Sequence, residues 1–173
     1  MQKTLILICV ELYKVKTDFF EQQKPNQWWL WCILIVNSVI PTFGVYEQIY
    51  IGEQFGTKPM SDLGLIIYLL ISFLILILFL IINLKTKVNS EGIQMNFYPF
   101  VSKKVNWNEI KNIEIISYGF VGGYGIRLWT KYGTVYNIKG KKGIYIQLKN
   151  GVKFLIGTQK EKEMRKVLNY YSK

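Results

Sequence analysis

A run of 22 residues, 63–84, contains no charged side chain and is followed directly by Lys85 and Lys87. As a helix rising ~1.5 Å per residue it would be about 33 Å long, which matches a membrane hydrocarbon core roughly 30 Å thick. Most of its residues are Leu, Ile and Phe, and it lacks the polar stripe of a helix at the surface of a soluble protein. The run therefore predicts a membrane-spanning helix over residues 63–84.

A second uncharged stretch covers residues 25–46 and predicts a first spanning helix. Asn37, Ser38 and Pro41 make it less uniform, and we expect Pro41 to kink or end it. Aromatic and basic side chains favour the headgroup level of a bilayer. The interface anchors expected for the two helices are Trp28, Trp29, Trp31, Tyr46, Tyr50, Lys85 and Lys87.

The basic residues that flank the two helices predict their orientation. The connecting loop, residues 47–62, contains Lys58 alone, whereas several lysines precede the first helix and follow the second. Because basic segments stay on the cytoplasmic side, both termini are expected in the cytoplasm and the loop outside or in the periplasm. The predicted location is the cytoplasmic, or inner, membrane, with residues 1–24 as a cytoplasmic segment. In that segment, residues 4–10 fit either a β-strand or a peripheral stretch along the membrane or the C-terminal domain.

From residue 85 to residue 173 the pattern changes to short segments of alternating polarity, which is typical of β-strands with one buried face. Turn signals separate them, and Asn150-Gly151 is the strongest because both positions of a tight hairpin need positive φ. The candidate strands are residues 93–97, 101–105, 110–118, 125–130, 134–138, 144–148 and 152–156. About seven antiparallel strands predict a small barrel or sandwich. Thr158 and Glu161 form a capping-box pattern that predicts a closing helix over residues 158–171.

The composition argues against several kinds of chemistry. The chain has no histidine and two cysteines, Cys9 and Cys32, which leaves no Cys/His zinc pattern and no Ser-His-Asp triad. Residues 85–173 contain no aspartate, and their five glutamates lie apart in the sequence. We therefore expect no enzyme activity, no metal and no cofactor. A nucleic-acid partner is not expected either, since the orientation of the helices already explains the lysines.

Four short strings within residues 25–170 carry a family resemblance. They are Pro99-Phe100, Trp107-Asn108-Glu109-Ile110, Gly125-Ile126-Arg127 and Ile156-Gly157-Thr158-Gln159. In this order and spacing they resemble bacterial membrane proteins in which a two-helix hairpin precedes a pleckstrin-homology-like domain. The resemblance implies a membrane α-helical hairpin plus a small all-β, pleckstrin-homology-like unit that is closed by a C-terminal helix. It also implies a membrane-anchored, non-catalytic role.

The C-terminal half carries the positive charge of the chain: fifteen Lys and two Arg against five Glu give residues 85–173 a balance of +12. Such a surface is attracted to anionic lipid headgroups at the cytoplasmic leaflet. The residues expected to bind lipid phosphates are Lys103, Lys104, Arg127, Lys131, Lys139, Lys141 and Lys142. A solubilising role for the same lysines is the alternative.

A scaffold that binds a protein partner is the second functional hypothesis. Aromatic residues cluster around a glycine-rich connection, and Phe120, Tyr124 and Trp129 are the expected partner surface. A homo-oligomer is a variant of this hypothesis, in which Asn37 and Ser38 bond between first helices.

Overall fold

A computed structural model describes residues 18–119 and 121–171. The chain divides into two compact units: a helical unit, Pro25–Ile82, and a β unit formed by the described residues on either side of it. The connections between the units are short. The first strand ends at Gln23, two residues before the helical unit begins, and the second strand begins at Asn83, directly after the helical unit ends.

The helical unit contains two long apolar helices. Helix α1 covers Trp28–Val45 and continues as a π-helical segment, Tyr46–Ile51, and helix α2 covers Asp62–Ile81. Both are long and apolar enough to cross a membrane. Most of their apolar side chains are exposed, with Leu63 at 68% and Leu74 at 66%, which is not the pattern of a buried core helix.

The bounds of these helices differ from the sequence prediction at both ends of the hairpin. The first helix continues through Pro41, and its π-helical extension ends at Ile51 and is followed by Gly52, whose φ of 85° fits glycine. The second helix ends at Ile81 rather than residue 84. Leu84 instead belongs to a strand and is fully buried in the β unit. An apolar residue at the end of such a run is compatible with either environment, so hydrophobicity alone placed the boundary too late.

Polar groups inside the hairpin find partners within it. The Tyr68 hydroxyl donates to Asn37 Oδ1 at 3.0 Å, and the Ser38 hydroxyl donates to the Leu34 carbonyl at 3.0 Å. At the start of α2, Ser61 Oγ accepts from the Gly64 N–H at 3.2 Å and caps the helix. Asn37 and Ser38 thus have hydrogen-bond partners without a second copy of the chain, and the homo-oligomer stays a prediction.

The described part of the β unit contains nine strands in two open sheets and a C-terminal helix. Sheet A has the order β1-β2-β3-β4 and sheet B the order β5-β8-β9-β7-β6; all neighbours are antiparallel except β7 and β9. The strands are β1 Phe19–Gln23, β2 Asn83–Asn89, β3 Gly92–Tyr98, β4 Val101–Asn106, β5 Ile110–Ser117, β6 Gly125–Thr130, β7 Gly133–Asn137, β8 Lys142–Leu148 and β9 Lys153–Gly157. A 3-10 turn, Trp107–Glu109, precedes β5, and helix α3 covers Glu161–Tyr171.

The predicted strand run and C-terminal helix are confirmed in outline, but the sheets are not closed into a barrel. Strands β1 and β2 were missed by the sequence prediction. The alternation that defines β2 has Leu84, Thr86 and Val88 buried and the intervening lysines exposed. This short pattern directly follows the long apolar run, which hid it.

Two contacts join the outer strands of sheet A to sheet B. On β1, Gln23 Nε2 donates to the Gly157 carbonyl at 2.8 Å. On β4, Lys103 Nζ lies 4.9 Å from the ring centre of Phe154 and 5.3 Å from that of Tyr136. Helix α3 buries Met164, Val167 and Leu168 and contacts β1 and β2.

The capping box predicted at Thr158 is wrong. Thr158 Oγ1 accepts from the Lys160 N–H at 3.1 Å, and α3 begins only at Glu161. The reciprocal bond from Glu161 is missing because the Thr158 N–H already donates to the Lys142 carbonyl at 2.9 Å.

Candidate functional site

A groove of about 590 Å³ lies where the loop before β8 meets the turn before α3. We call it the basic groove. Its lining residues are Gly140, Lys141, Lys142, Thr158, Gln159, Lys160, Glu161, Lys162 and Glu163. Four lysines and two glutamates give this set a formal charge of +2.

Tyr118 forms hydrogen bonds that fix the loop before β8, which makes one side of the basic groove. Its N–H donates to the Lys141 carbonyl at 2.9 Å, and its hydroxyl donates to the Gly140 carbonyl at 3.1 Å. The same hydroxyl accepts from Asn137 Nδ2 at 3.2 Å. Burial raises the pKa of the Tyr118 phenol, and the bond from Asn137 offsets part of that rise. Tyr118 therefore remains a neutral donor at physiological pH and fixes the backbone of the loop.

Glu21 of β1 forms hydrogen bonds that fix the turn before α3, which makes the other side of the basic groove. Its carboxylate accepts from the Thr158 hydroxyl at 2.6 Å and from the Gln159 N–H at 2.7 Å, and only 3% of the residue is exposed. The side-chain amide of Gln159 in turn donates to the Lys139 carbonyl. Because both carboxylate oxygens have partners, the turn before α3 is fixed relative to β1 and to the lysine loop.

Only some of the charged side chains that line the groove form ion pairs. Glu161 accepts from Lys142 Nζ at 2.5 Å and from Arg165 Nη2 at 3.0 Å. These hydrogen bonds, that from Lys142 first, lower the pKa of the Glu161 carboxyl. Among the residues that the structure describes, Lys141 and Lys162 have no ion pair. These two ammonium groups are therefore available to an external anion.

The basic groove lies at the end of the β unit through which the chain passes to and from the helical unit. Gln23, the last residue of β1, bonds to Gly157, which directly precedes Thr158 of the groove. Gln23 also pairs with Leu84 near the start of β2. Both connections to the helical unit thus leave the β unit at this end.

The structure brings together three of the seven basic residues expected to bind phosphate: Lys139, Lys141 and Lys142 lie on one loop between β7 and the body of β8. Lys160 and Lys162, which the sequence analysis missed, line the same groove. They are 18 to 23 residues away from the loop lysines along the chain, and only the fold shows that they meet.

The other four basic residues lie elsewhere. Lys103 is half-buried against two aromatic rings, and Lys104 pairs with Glu91 at 2.7 Å, which lowers the pKa of that carboxyl. Arg127 Nη2 donates to the Tyr124 carbonyl at 3.0 Å within its own loop.

Lys131 lies over the ring of Tyr132, with Nζ 4.9 Å from the ring centre. It belongs to the β6–β7 turn, at the opposite end of β7 from the loop lysines.

The expected interface anchors are spread over both units. Trp28 and Trp29 are 77% and 49% exposed, and Tyr46 and Tyr50 stack with ring centres 5.4 Å apart. Trp31 Nε1 donates to the Pro25 carbonyl at 3.3 Å. Lys85 and Lys87 do not follow a helix directly, because they lie on the exposed face of β2.

Of the expected partner surface, Tyr124 is 49% exposed and Trp129 is 95% exposed, while Phe120 lies outside the described residues. Trp129 has a φ of 53°, which bulky residues rarely adopt, at a register shift in the edge strand β6. The backbone irregularity directs this ring into solvent.

The described residues contain no group of three or more His, Cys, Asp or Glu side chains that could hold a metal ion. Comparison of the chain with models of known protein families and with curated protein sequences finds no match. The charge and geometry of the basic groove are consequently the main guide to function.

Proposed function

We propose that this chain is a membrane-anchored, non-catalytic module whose β unit binds anionic lipid headgroups at the cytoplasmic leaflet through the basic groove. The observation that carries the proposal is the position of the groove at the end of the β unit where the chain connects to the two apolar helices. A pleckstrin-homology-like relationship belongs to the proposal. The strand run that ends in one closing helix supports it, whereas the open sheets and the parallel pair β7–β9 depart from it.

The membrane part of the proposal is supported by the exposure and length of α1 and α2. A hairpin with apolar side chains on most of its surface needs an apolar solvent, and a bilayer provides one of the matching thickness. The lysine excess on the flanking segments favours cytoplasmic termini and therefore the inner membrane.

The headgroup part is supported by charge. Each Lys or Arg near an anionic leaflet contributes on the order of 1 kcal/mol, and the contribution falls off within a Debye length of ~10 Å. Only one residue, Ile82, lies between α2 and β2. The start of β2 must therefore lie close to the membrane surface at which α2 ends. Lys141 and Lys162 have no competing ion pair among the described residues, so they are the principal groups expected to bind headgroup phosphates.

Hydrogen exchange of the full chain in nanodiscs tests the proposal. We compare discs of phosphatidylcholine with discs that also contain phosphatidylglycerol. In the anionic discs we expect slower exchange in residues 139–142 and 158–163, and the protection should weaken as salt is raised.

The double variant Lys141→Gln/Lys162→Gln should lose this protection. Its matched control, Lys131→Gln/Lys153→Gln, removes the same charge at the far end of sheet B and should retain it. Equal exchange of the groove peptides in both kinds of disc would show that the groove does not bind anionic headgroups.

Trp129 supports a second function, as a scaffold that binds a protein partner. A tryptophan that is 95% exposed, next to a Leu128 that is 54% exposed, is typical of an interface anchor. This hairpin lies at the opposite end of sheet B from Gly157, which bonds to Gln23 beside the chain connection. Crosslinking in native membranes, compared between the wild type and Trp129→Ser, tests it: a partner recovered equally well with the variant would exclude Trp129 as its anchor.

A further inference from the structure

The turn between β3 and β4 displays two aromatic side chains on a fixed backbone. Tyr98 is 49% exposed and Phe100 is 53% exposed. The Phe100 N–H donates to the Phe97 carbonyl at 2.8 Å, and the two phenyl rings lie 6.2 Å apart. Because Phe97 is buried, the turn is anchored in sheet A while the rings of Tyr98 and Phe100 extend outward.

This turn differs in charge from the other tight hairpin turns of the described β unit. The β2–β3 turn contains Glu91, the β6–β7 turn Lys131 and the β8–β9 turn Lys149. Residues 96–102, in contrast, are all uncharged, within a C-terminal half whose balance is +12. Two large exposed aromatic rings on an uncharged turn form an apolar patch, and such patches mark sites of interaction with proteins or membranes.

Strand register places the turn at the end of the β unit where the chain leaves for the helices. Tyr98 pairs with Asn83, the first residue of β2, and Phe97 pairs with Leu84. Leu84 pairs in turn with Gln23, the last residue of β1. The aromatic turn therefore lies one strand spacing, roughly 5 Å, from the residue at which the chain enters the sheet from α2.

Basic residues lie on or directly after the two strands that precede β3 in the order of sheet A. Lys24 directly follows β1 and is exposed, and Lys85, on the exposed face of β2, pairs with Asn96, two residues before Tyr98. An aromatic turn with basic residues on the neighbouring strands suits a bilayer interface, where rings enter the headgroup layer and ammonium groups meet phosphates.

From these observations we infer that the turn formed by Tyr98, Pro99 and Phe100 inserts into the interface of the bilayer that α1 and α2 span. The inference rests on the membrane-anchored part of the proposed function and adds an apolar contact that does not need the basic groove. The turn and the groove are then two separate contacts of the β unit with one lipid surface.

Site-directed spin labelling of the full chain in nanodiscs tests the inference. After replacement of Cys9 and Cys32, a label is placed at Phe100→Cys. Its matched control is Ser90→Cys, an exposed residue in the β2–β3 turn at the opposite end of sheet A. Oxygen partitions into lipid and a nickel chelate stays in water, so their relative effects on each label report its depth.

We expect the ratio of oxygen to nickel-chelate accessibility to be several-fold higher at residue 100 than at residue 90, in neutral and in anionic discs alike. Insertion at residue 100 without groove protection would leave this inference standing and overturn headgroup binding. Equal, water-like accessibility at both labels would overturn the inference, whatever the groove does. A second label at Tyr98→Cys covers the case in which the residue 100 variant does not fold. A ratio several-fold above that at residue 90 would support the inference there too, and an equal, water-like ratio would overturn it.

Discussion

Removal of the Glu21 carboxylate should loosen the basic groove from a strand that is 137 residues away along the chain. The carboxylate is buried and accepts from Thr158 Oγ1 at 2.6 Å and from the Gln159 N–H at 2.7 Å. Hydrogen bonds to a charged group contribute about 1.5–3 kcal/mol each, and part of this is offset because a buried carboxylate is costly to desolvate. For Glu21→Ala we therefore expect a loss of about 2–4 kcal/mol from the local stability of β1 and the Thr158 turn.

Native-state hydrogen exchange of the full chain in detergent micelles measures this loss directly. At 1.4 kcal/mol per factor of ten, amides of β1 and of residues 158–160 should exchange roughly thirtyfold to nearly a thousandfold faster in Glu21→Ala. The exchange rates of Glu21→Gln should lie between those of Glu21→Ala and the wild type. The glutamine carbonyl oxygen can accept one of the two hydrogen bonds, but its NH₂ group faces a donor. Gln22→Ala is the matched control, since the neighbouring Gln22 side chain is exposed. Equal exchange rates in Glu21→Ala and Gln22→Ala would refute the structural role assigned to the carboxylate.

Two further pairs of variants test the charge and the backbone of the β unit. Lys142→Gln should raise the pKa of Glu161 part of the way to its ordinary value, measured by carbon-13 NMR, whereas Lys141→Gln should not. In the wild type, the lowered pKa of Glu161 stabilises the fold at every pH above the pKa of this carboxyl in the unfolded chain. The stabilisation is lost as the pH falls through the pKa of the carboxyl in the folded protein. Gly133→Ala should destabilise sheet B by more than Gly151→Ala, because both glycines have positive φ but only at Gly133 would a Cβ overlap a carbonyl of β9. We expect about 1–2 kcal/mol for Gly151→Ala by hydrogen exchange, and equal losses at both sites would contradict the packing around Gly133.

Local patterns predicted the individual elements of this chain better than their assembly. Alternation of polar and apolar residues predicts the strands from β3 onward, because the side-chain period of a strand is visible within five residues. Strand β1 was missed because its buried positions include Glu21 and Gln23, which are polar and bond to the turn after β9 and to the last residue of β9. Their burial depends on partners more than 130 residues away, and no local pattern encodes that.

The candidate site was predictable to the same extent. The loop from Lys139 to Lys142 is a recognisable basic turn in the sequence, and the structure places it at the groove. The contribution of Lys162 was not predictable, because it depends on where α3 begins relative to that loop. Lys103 shows the reverse case, in which a lysine that looks solvent-exposed in the sequence covers two aromatic rings in the fold.

The four edge strands of the two open sheets explain which surfaces remain for binding. An open edge invites pairing with another chain, and inward-pointing charges or bulges prevent it. On sheet A, Glu21 of β1 and Lys103 of β4 are charged residues that point inward from the two edges. On sheet B, the register shifts after Ile110 in β5 and after Arg127 in β6 interrupt both edges. Because these features disfavour strand addition, we expect binding at loops and turns, which is where the basic groove, the aromatic β3–β4 turn and Trp129 lie.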